Sequence, residues 1–402
     1  MSAVSVMQRV ILLADMNSFF ASCHQAVHPE LQGKEVIVAG DPRKRTGIVL
    51  AASYPAKAKG VKTGMPVREA RQLCPDARFF SPDYPLYIDF STKVLRVMRD
   101  FTDLVEPFSI DEAFADFTGV LHLWGPPAVA ARRLKERIRA EVGVPCSVGI
   151  GPNKLIAKMA AGLRKPDGLT VLESVEEFKR ACWPLPVRQL FGIGPRYEKH
   201  LRYYNVRTIG DLARFPLSIL RKRWGKNGEM LWLCANGIDY SPVVPGSLDV
   251  AKSIGQQKTL PWDLYGFAGI KVVVLELSEA VARRARRGKY VGRTVVLTLR
   301  DAQLRFFARS QSMAEYTDLA DEIYRTACRI LYKYWDESRP VRLVGVTLGS
   351  LVKREHFQCD IFGQRMRLSR LARACDAVRD RFGERAVMRG VSLTEASINR
   401  ER

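Results

Sequence analysis

One run constrains this chain more than any other: Val10-Ile11-Leu12-Leu13-Ala14-Asp15, an apolar stretch that delivers a carboxylate at its end and reads as a buried strand opening onto a site. Roughly a hundred residues later, Phe108-Ser109-Ile110-Asp111-Glu112-Ala113-Phe114 sets two adjacent acids in a second apolar, β-prone segment. Either segment alone also fits a strand end or a solvated hairpin, where acids are common. Taken together they place three carboxylates in apolar settings. Buried unpaired charge costs several kcal/mol or more, and hard oxygen donors of this kind suit Mg2+. Neighbouring side chains on a strand point to opposite faces, so Asp111 and Glu112 can serve one ion only near a bend. The segment from Phe108 to Phe114 is therefore predicted to turn.

Between these acids, Glu35 to Ala39 and Gly47 to Ala52 read as short strands and Tyr54 to Lys59 as a short helix, in a Gly- and Ala-rich stretch resembling an insertion. Tyr84 to Arg99 has helical spacing and Leu104 to Phe117 is hairpin-like. Ala128 to Val142 is an amphipathic basic helix, and Cys146 to Ile150 a strand. Asn153 to Ala161 is a helix with Asn153 as N-cap, and Leu169 to Leu172 a strand. Strands and helices in this order describe a βαββαβ core.

Pro184-Leu185-Pro186 marks a boundary. Beyond it, Val187 to Pro195 and the apolar positions from Leu201 to Ala213 resemble a helix-hairpin-helix, in which backbone N–H groups around Gly192 and Gly194 are offered to a phosphate. An ordinary Gly-capped helical turn is the alternative reading. Residues 239–254 carry Pro242, Pro245 and Gly246 and little periodicity, as a linker would. A second βαββαβ pattern follows. Its strands are Ser253 to Leu260, Arg293 to Arg300, Arg305 to Met313 and Val341 to Leu348; its helices are Phe267 to Arg287 and Asp318 to Tyr334. Arg293, Arg300, Arg305 and Arg309 recur along those strands beside Lys252 and Lys258, either solvated or laid against a phosphate backbone.

The charge balance narrows the partners. Lys plus Arg number 64 against 42 Asp plus Glu, a formal net charge of +22, so polyanions are the natural ligands, as they are for ribosomal or membrane-surface proteins. At 402 residues the chain has room for two or more domains. Met1 to Gln8 is no leader, and no apolar run approaches the roughly 18 residues that cross a bilayer. The eight cysteines form no C-x-x-C pair and read as reduced cytosolic thiols, neither zinc ligands nor disulfides.

Asp15-Met16-Asn17-Ser18-Phe19-Phe20 and Ser109-Ile110-Asp111-Glu112-Ala113-Phe114 together resemble the two catalytic motifs of the Y-family (translesion) DNA polymerases. The likeness continues in order through Ala52 to Lys57, Ser147 to Lys154, Lys165-Pro166-Asp167-Gly168 and Gly192-Ile193-Gly194, over nearly the whole chain, and points to the bacterial polymerase IV and UmuC-like branch. The resemblance implies an α+β multidomain, right-hand polymerase. Its parts would be a ferredoxin-like βαββαβ palm (1–17 and 83–173), small inserted fingers (18–82), a helical helix-hairpin-helix thumb (174–240), a linker (241–252), a βαββαβ little-finger domain (253–352) and a C-terminal tail (353–402).

The same resemblance implies roles for residues. Asp15, Asp111, Glu112 and the backbone carbonyl of Met16 would hold two Mg2+ ions, with Mn2+ able to substitute, for in-line nucleotidyl transfer from a dNTP to a primer 3′-hydroxyl. Phe19, Phe20, Tyr54, Lys57 and Lys165 would hold the nucleotide, Phe20 as the ring that excludes a ribose 2′-hydroxyl. Lys57 stands where many members carry Arg and offers a point charge in place of a fork. Ala51, Ala52 and Ser53 would form an open roof over the nascent base pair. Gln358, Ile361 and Phe362 lie in a pentapeptide resembling the Gln-Leu-x-Leu-Phe sequence that engages the bacterial sliding clamp (beta); a helix-packing anchor is the other reading. Primer-template DNA, dNTP and the clamp are the expected partners of a cytoplasmic, nucleoid-associated monomer without membrane attachment or proofreading. A catalytically silent, clamp-tethered DNA-binding scaffold and a template-restricted nucleotidyl transferase are the rivals.

Overall fold

The computed structural model describes residues 9–43, 45, 47–247, 250–356, 364–394 and 397. They fall into two compact units that part near residue 250.

In the first unit, β1 (Ile11–Met16) is buried along its whole length, which is why its sequence is a continuous apolar run instead of an alternating one. Helix α1 (Phe19–Val27) follows. Next come β2 (Val36–Ala39), β3 (Val49–Ala52), α2 (Tyr54–Ala58), α3 (Val67–Leu73) and β4 (Arg78–Phe80), a three-stranded sheet with helices around its own small core of Ile37, Val49, Val61, Val67 and Cys74. Then α4 (Tyr84–Arg99), capped by Asp83, leads to the hairpin β5 (Val105–Pro107) and β6 (Glu112–Asp116). After α5 (Leu121–Trp124) and α6 (Pro127–Val142) come β7 (Cys146–Gly151), α7 (Lys154–Leu163) and β8 (Leu169–Val171). The main sheet runs β5-β6-β1-β7-β8, with β1 central and antiparallel to both neighbours. This is the expected βαββαβ order with β8 added in parallel.

The two faces of β1 are covered differently. Leu12, Ala14 and Met16 join the large core with α4 and α6, while Ile11 and Leu13 pack with Phe114 against Ala157 and Ala161 of α7. Helix α7 lies so close to β7 that a Cβ on Gly149 would stand 2.0 Å from the Ala157 carbonyl oxygen. Its N-terminus is held by Asn153, which accepts from the Ile156 N–H, and by Asp239, which accepts from the Leu155 N–H.

Helix α7 also contributes Leu155, Ile156 and Met159 to a helical core shared with α8 (Val175–Cys182), α9 (Pro195–Tyr203), α10 (Ile209–Arg214), α11 (Leu217–Trp224) and α12 (Lys226–Ala235). The first helix of the expected helix-hairpin-helix is a single 3-10 turn, Val187–Gln189. Of the stretch 241–252 read as a linker, Ser241 to Val244 is fastened to this unit. Val243 packs in the Ile11–Phe114 cluster and the Val244 N–H donates to Glu106.

The second unit is β9 (Ser253–Leu264), α13 (Gly266–Arg287), β10 (Tyr290–Asp301), β11 (Phe306–Thr317), α14 (Ala320–Tyr334), β12 (Val341–Gly349), β13 (Val352–Lys353) and α15 (Gln364–Phe382). The expected second βαββαβ string is present, but its sheet runs β11-β10-β12-β9. Here the last long strand inserts between the first two, whereas in the first unit β1 is central. Both helices α13 and α14 cover one face, over Val295, Leu297, Leu299, Val344, Val346 and Leu348. Helix α15, part of a tail whose sequence left its course open, folds back onto α13 and α14.

No helix among the described residues is long and apolar enough to cross a membrane. Seven cysteines are free, and Cys359 lies outside the described residues.

Gly149→Ala is expected to destabilise the first unit by about 1–3 kcal/mol through forced separation of α7 from β7. A lower urea midpoint for that unit's transition checks this; an unchanged midpoint would mean that the helix yields freely.

Candidate active site

The site forms where β1 and β6 end together. Asp15 and Glu112 are direct partners in the antiparallel pair, so their side chains stand on one face, the α7 face. Asp111 lies in the predicted turn just before β6: the Phe108 and Ser109 N–H groups both donate to the Glu112 carbonyl, and the Asp111 carbonyl accepts from the Met16 N–H at 2.9 Å. The sequence-adjacent acids thus leave the backbone from different settings, Glu112 from the strand and Asp111 from the loop, whose carbonyl is tied to the end of β1. The Asp111 carboxylate accepts from the Ser109 hydroxyl at 2.6 Å.

Two lysines face these acids. Lys165 Nζ lies 2.5 Å from Asp15 Oδ2, and Lys158 Nζ, from α7, lies 2.6 Å from Glu112 Oε2. Lys158 is also stacked over the rings of Phe108 and Phe191, at 4.9 and 5.2 Å. Asp15 is only 7% exposed. Burial first, then a hydrogen bond shared with Glu112, push its carboxyl up to about 7 against the pull of Lys165. Burial acts on Glu112 in the same direction, but the bond to Asp15 and the Lys158 ammonium outweigh it, so Glu112 lies below its ordinary value. Burial thus works against full ionisation of the pair even with a lysine on each carboxylate. No three His, Cys, Asp or Glu side chains among the described residues are gathered as a ligand set. Nevertheless, the donors are hard oxygens on two facing, buried carboxylates, where a cation would offset the charge that burial penalises; the residues fit a divalent metal.

A second cluster adjoins the first. Ser18 opens α1 with a left-handed backbone (φ 49°), its hydroxyl accepts from Lys57 Nζ at 2.7 Å, and Lys57 stands over the Tyr54 ring at 4.7 Å. Burial and then the Lys165 charge lower the Lys57 ammonium. Burial and then the Asp15 charge raise the Tyr54 phenol. Asp15, Ser18, Tyr54, Lys57 and Lys165 thus share one field, beside the first N–H groups of α1, a place suited to a polyanion.

The Phe20 ring lies flat on Tyr87 of α4 (centroids 4.0 Å apart, planes 8°), with Tyr84 edge-on at 6.3 Å. Phe19, by contrast, is buried in the main core, so only its backbone can meet a ligand. Ala52 and Ser53 likewise turn inward, the Ser53 hydroxyl taking the Val36 N–H, and Ala51 alone of the expected roof is partly exposed. Gly192 adopts φ +90° beside Phe191, and Gly194 is the N-cap of α9 with open space around its Cα.

Arg293 and Arg309 lie on β10 and β11 as expected, and Arg305 just outside them. The sheet face away from α13 and α14 carries Gly255, Gln257, Thr294, Thr298, Ser310 and Thr347, with Arg300 at one end. Arg309 pairs with Leu297 and so belongs to the helix side of edge strand β11, Arg305 lies in the β10–β11 turn, and Arg293 covers the Tyr316 ring at the bulge before Thr294. Gln358, Ile361 and Phe362 lie outside the described residues.

Sequence reasoning missed Lys158, Ser18, Tyr87 and Asn17. Asn17 is buried and central: its amide donates to Ser147 at 3.0 Å and its carbonyl oxygen accepts from the Asp167 N–H at 2.7 Å, tying the end of β1 to the turn that carries Lys165. Its signal was its place inside the Asp15–Phe20 motif.

Known proteins resemble this chain throughout. Family models match over residues 14–162 (impB/mucB/samB family), 251–361 (the C-terminal domain of the same family) and 188–239 (DNA polymerase-iota, thumb domain). A protein of Pelotomaculum thermopropionicum named DNA polymerase IV is 56% identical over 392 residues, 98% of this chain and 97% of its own. DNA polymerase IV of Moorella thermoacetica is 57% identical over 389 residues, 96% of this chain and 97% of its own. DNA polymerase IV 2 of Bacillus subtilis is 43% identical over 396 residues, 97% and 96% of the two chains. Among solved structures, the Y-family DNA polymerase chimera Dbh-Dpo4(243-245)-Dbh superposes with a TM-score of 0.74 at 26% identity, over 86% of this chain and 99% of that one.

The raised Asp15 carboxyl sets a pH dependence. Asp15 is raised on folding, so the stability it contributes is present below its ordinary value of 3.8 and is lost as the pH rises to about 7; Glu112, lowered on folding, acts only on acidification below its ordinary 4.5. Metal-free protein is expected to lose stability over that window, and Asp15→Asn to flatten the slope. Added Mg2+ is expected to raise Tm more at about pH 8 than at about pH 5, since cation and proton compete for the same oxygens. A Mg2+ response independent of pH would show that they do not.

Proposed function

This chain belongs to the Y family of DNA polymerases, and from that premise we propose how its residues divide the work of template-directed DNA synthesis. The chain is a DNA-directed DNA polymerase of the translesion type, and its family depends on divalent metal ions. The facing of Asp15 and Glu112 beside Lys165, at a site where burial penalises their charge, supports this division above all.

Asp15, Asp111, Glu112 and the Met16 carbonyl would hold two Mg2+ ions, with Mn2+ able to substitute, and such ions would supply a lowered pKa at the primer 3′-hydroxyl and charge stabilisation at the leaving pyrophosphate. Lys165 and Lys57 exchange their present partners, Asp15 and Ser18, for triphosphate oxygens, and Tyr54 adds its hydroxyl. The Phe19 and Phe20 N–H groups at the start of α1 complete the cradle. A lowered Lys57 ammonium and its single-point geometry favour a lighter grip than an arginine fork would give. Phe20, braced by Tyr87, closes the space a ribose 2′-hydroxyl needs.

Residues 1–17 and 83–173 serve as palm, 18–82 as fingers, 174–240 as thumb, 241–252 as linker and 253–352 as little finger. Gly192 and Gly194 offer backbone N–H groups to a DNA phosphate, a contact without sequence preference. Arg293, Arg305 and Arg309 supply the positive field around the second unit's sheet, whose open face meets the duplex through hydroxyls and Arg300. Gln358, Ile361 and Phe362 engage the sliding clamp, and the enzyme works as a cytoplasmic monomer on the nucleoid.

Primer extension with Mg2+ on damaged and undamaged templates tests this reading. Asp111→Ala is expected to reduce extension at least about a hundredfold, and a variant that extends normally would remove Asp111 from the site. A silent scaffold would extend nothing, and a template-restricted transferase would ignore template identity. Phe20→Ala is expected to admit ribonucleotides with DNA synthesis largely kept; unchanged sugar discrimination would refute the gate. Asn17→Ala should raise the KM for nucleotide more than it lowers kcat, by freeing the turn that carries Lys165.

A further inference from the structure

Helix α15 is fastened to the second unit by its polar side. Asp376 takes a two-point bond from Arg286 (2.6 and 3.0 Å). Arg283 reaches Asp380 at 2.7 Å and also pairs with Glu384, while Arg287 joins Asp380 as well. Arg365 grips Glu322 of α14, and Arg379 pairs with Glu279 of α13. Both acids of α15, Asp376 and Asp380, are therefore consumed by this attachment.

Its apolar residues do not follow them inward. Leu368, Leu371, Val378 and Phe382 are 45, 61, 37 and 66% exposed, with half-buried Cys375 between them. Their spacing alternates three and four residues, the a and d pattern of a coiled-coil seam. A helix that needed only to pack on α13 would turn such a stripe toward it. Arg367 and Arg381 border the seam at g-type positions, and Arg370 and Arg373 lie further round. All four are exposed, and none is ion-paired among the described residues.

We propose that this stripe is a docking seam for an amphipathic helix of another protein, one whose own seam is flanked by Glu and Asp. Charge selects that occupant. In an antiparallel pair of copies the g-type Arg367 and Arg381 would meet each other with no acid between them, and like charges across a seam oppose pairing. A bilayer surface calls for a broad apolar face. This seam is one residue wide, and the small side chains of Ala372 and Ala374 at its margins suit close approach of a second helix.

Fluorescence anisotropy on the full-length protein tests the seam. The probe is a labelled synthetic helix of about three heptads with Leu at a and d and Glu at e and g, compared with its Lys counterpart. The Glu probe is expected to bind, more weakly as salt rises, and the Lys probe not to. Leu371→Asp and, independently, Phe382→Ala should weaken binding about tenfold, and Arg367→Glu combined with Arg381→Glu should shift preference to the Lys probe. Primer extension should be unchanged in every variant, which controls for folding. Four results would each overturn the proposal: equal binding of both probes, no binding of the Glu probe, self-association in sedimentation that Leu371→Asp abolishes, or Leu371-dependent partition into phosphatidylglycerol vesicles.

Discussion

Desolvation of Asp15 at the end of β1 is the constraint to which the surrounding structure answers. A carboxyl this deeply placed ionises only against a penalty, to which Glu112 across the strand pair adds and which Lys165 from the turn after α7 opposes. Each arrives on a different element. Glu112 needs the β1–β6 register, Lys165 needs Asn17 and the 164–168 turn, and Lys158 needs α7 pressed onto β7 at Gly149. A site assembled from distant segments in this way makes its acid and lysine positions depend on packing some distance below them.

The second unit solves a different electrostatic problem. Its Arg283-Arg284-Ala285-Arg286-Arg287 run closes α13 with four arginines. In the fold, Arg283, Arg286 and Arg287 are spent on Asp376 and Asp380 of α15, and Arg283 on Glu384 as well. The open sheet face carries hydroxyls and glycines instead of a row of cations. Net charge therefore describes the field around the protein better than the chemistry of any one face.

The apolar run before Asp15, the helix Tyr84–Arg99 and the Asn153 cap were legible because each has a local cause: continuous burial, helical spacing, a side chain that satisfies an orphan N–H. The bend at Asp111 followed from the two-residue alternation of strands. What the sequence hid was long-range. Nothing near Lys158 announces Glu112, and nothing near Tyr87 announces Phe20, since both pairs are made only when helices land on the sheet. The roof residues Ala52 and Ser53 misled because small size fits an open surface and a tight core equally well. The sheet order of the second unit was also out of reach: an identical βαββαβ string yields β1 at the centre of one sheet and β9 at the edge of the other.

That edge position has a consequence for synthesis. Among the described residues β9 pairs only with β12, so the ribosome delivers β9 roughly ninety residues before its hydrogen-bonding partner exists. Until then the nascent chain exposes a long unpaired ladder, and translation speed through α13 to α14 decides how long it stays open to wrong partners.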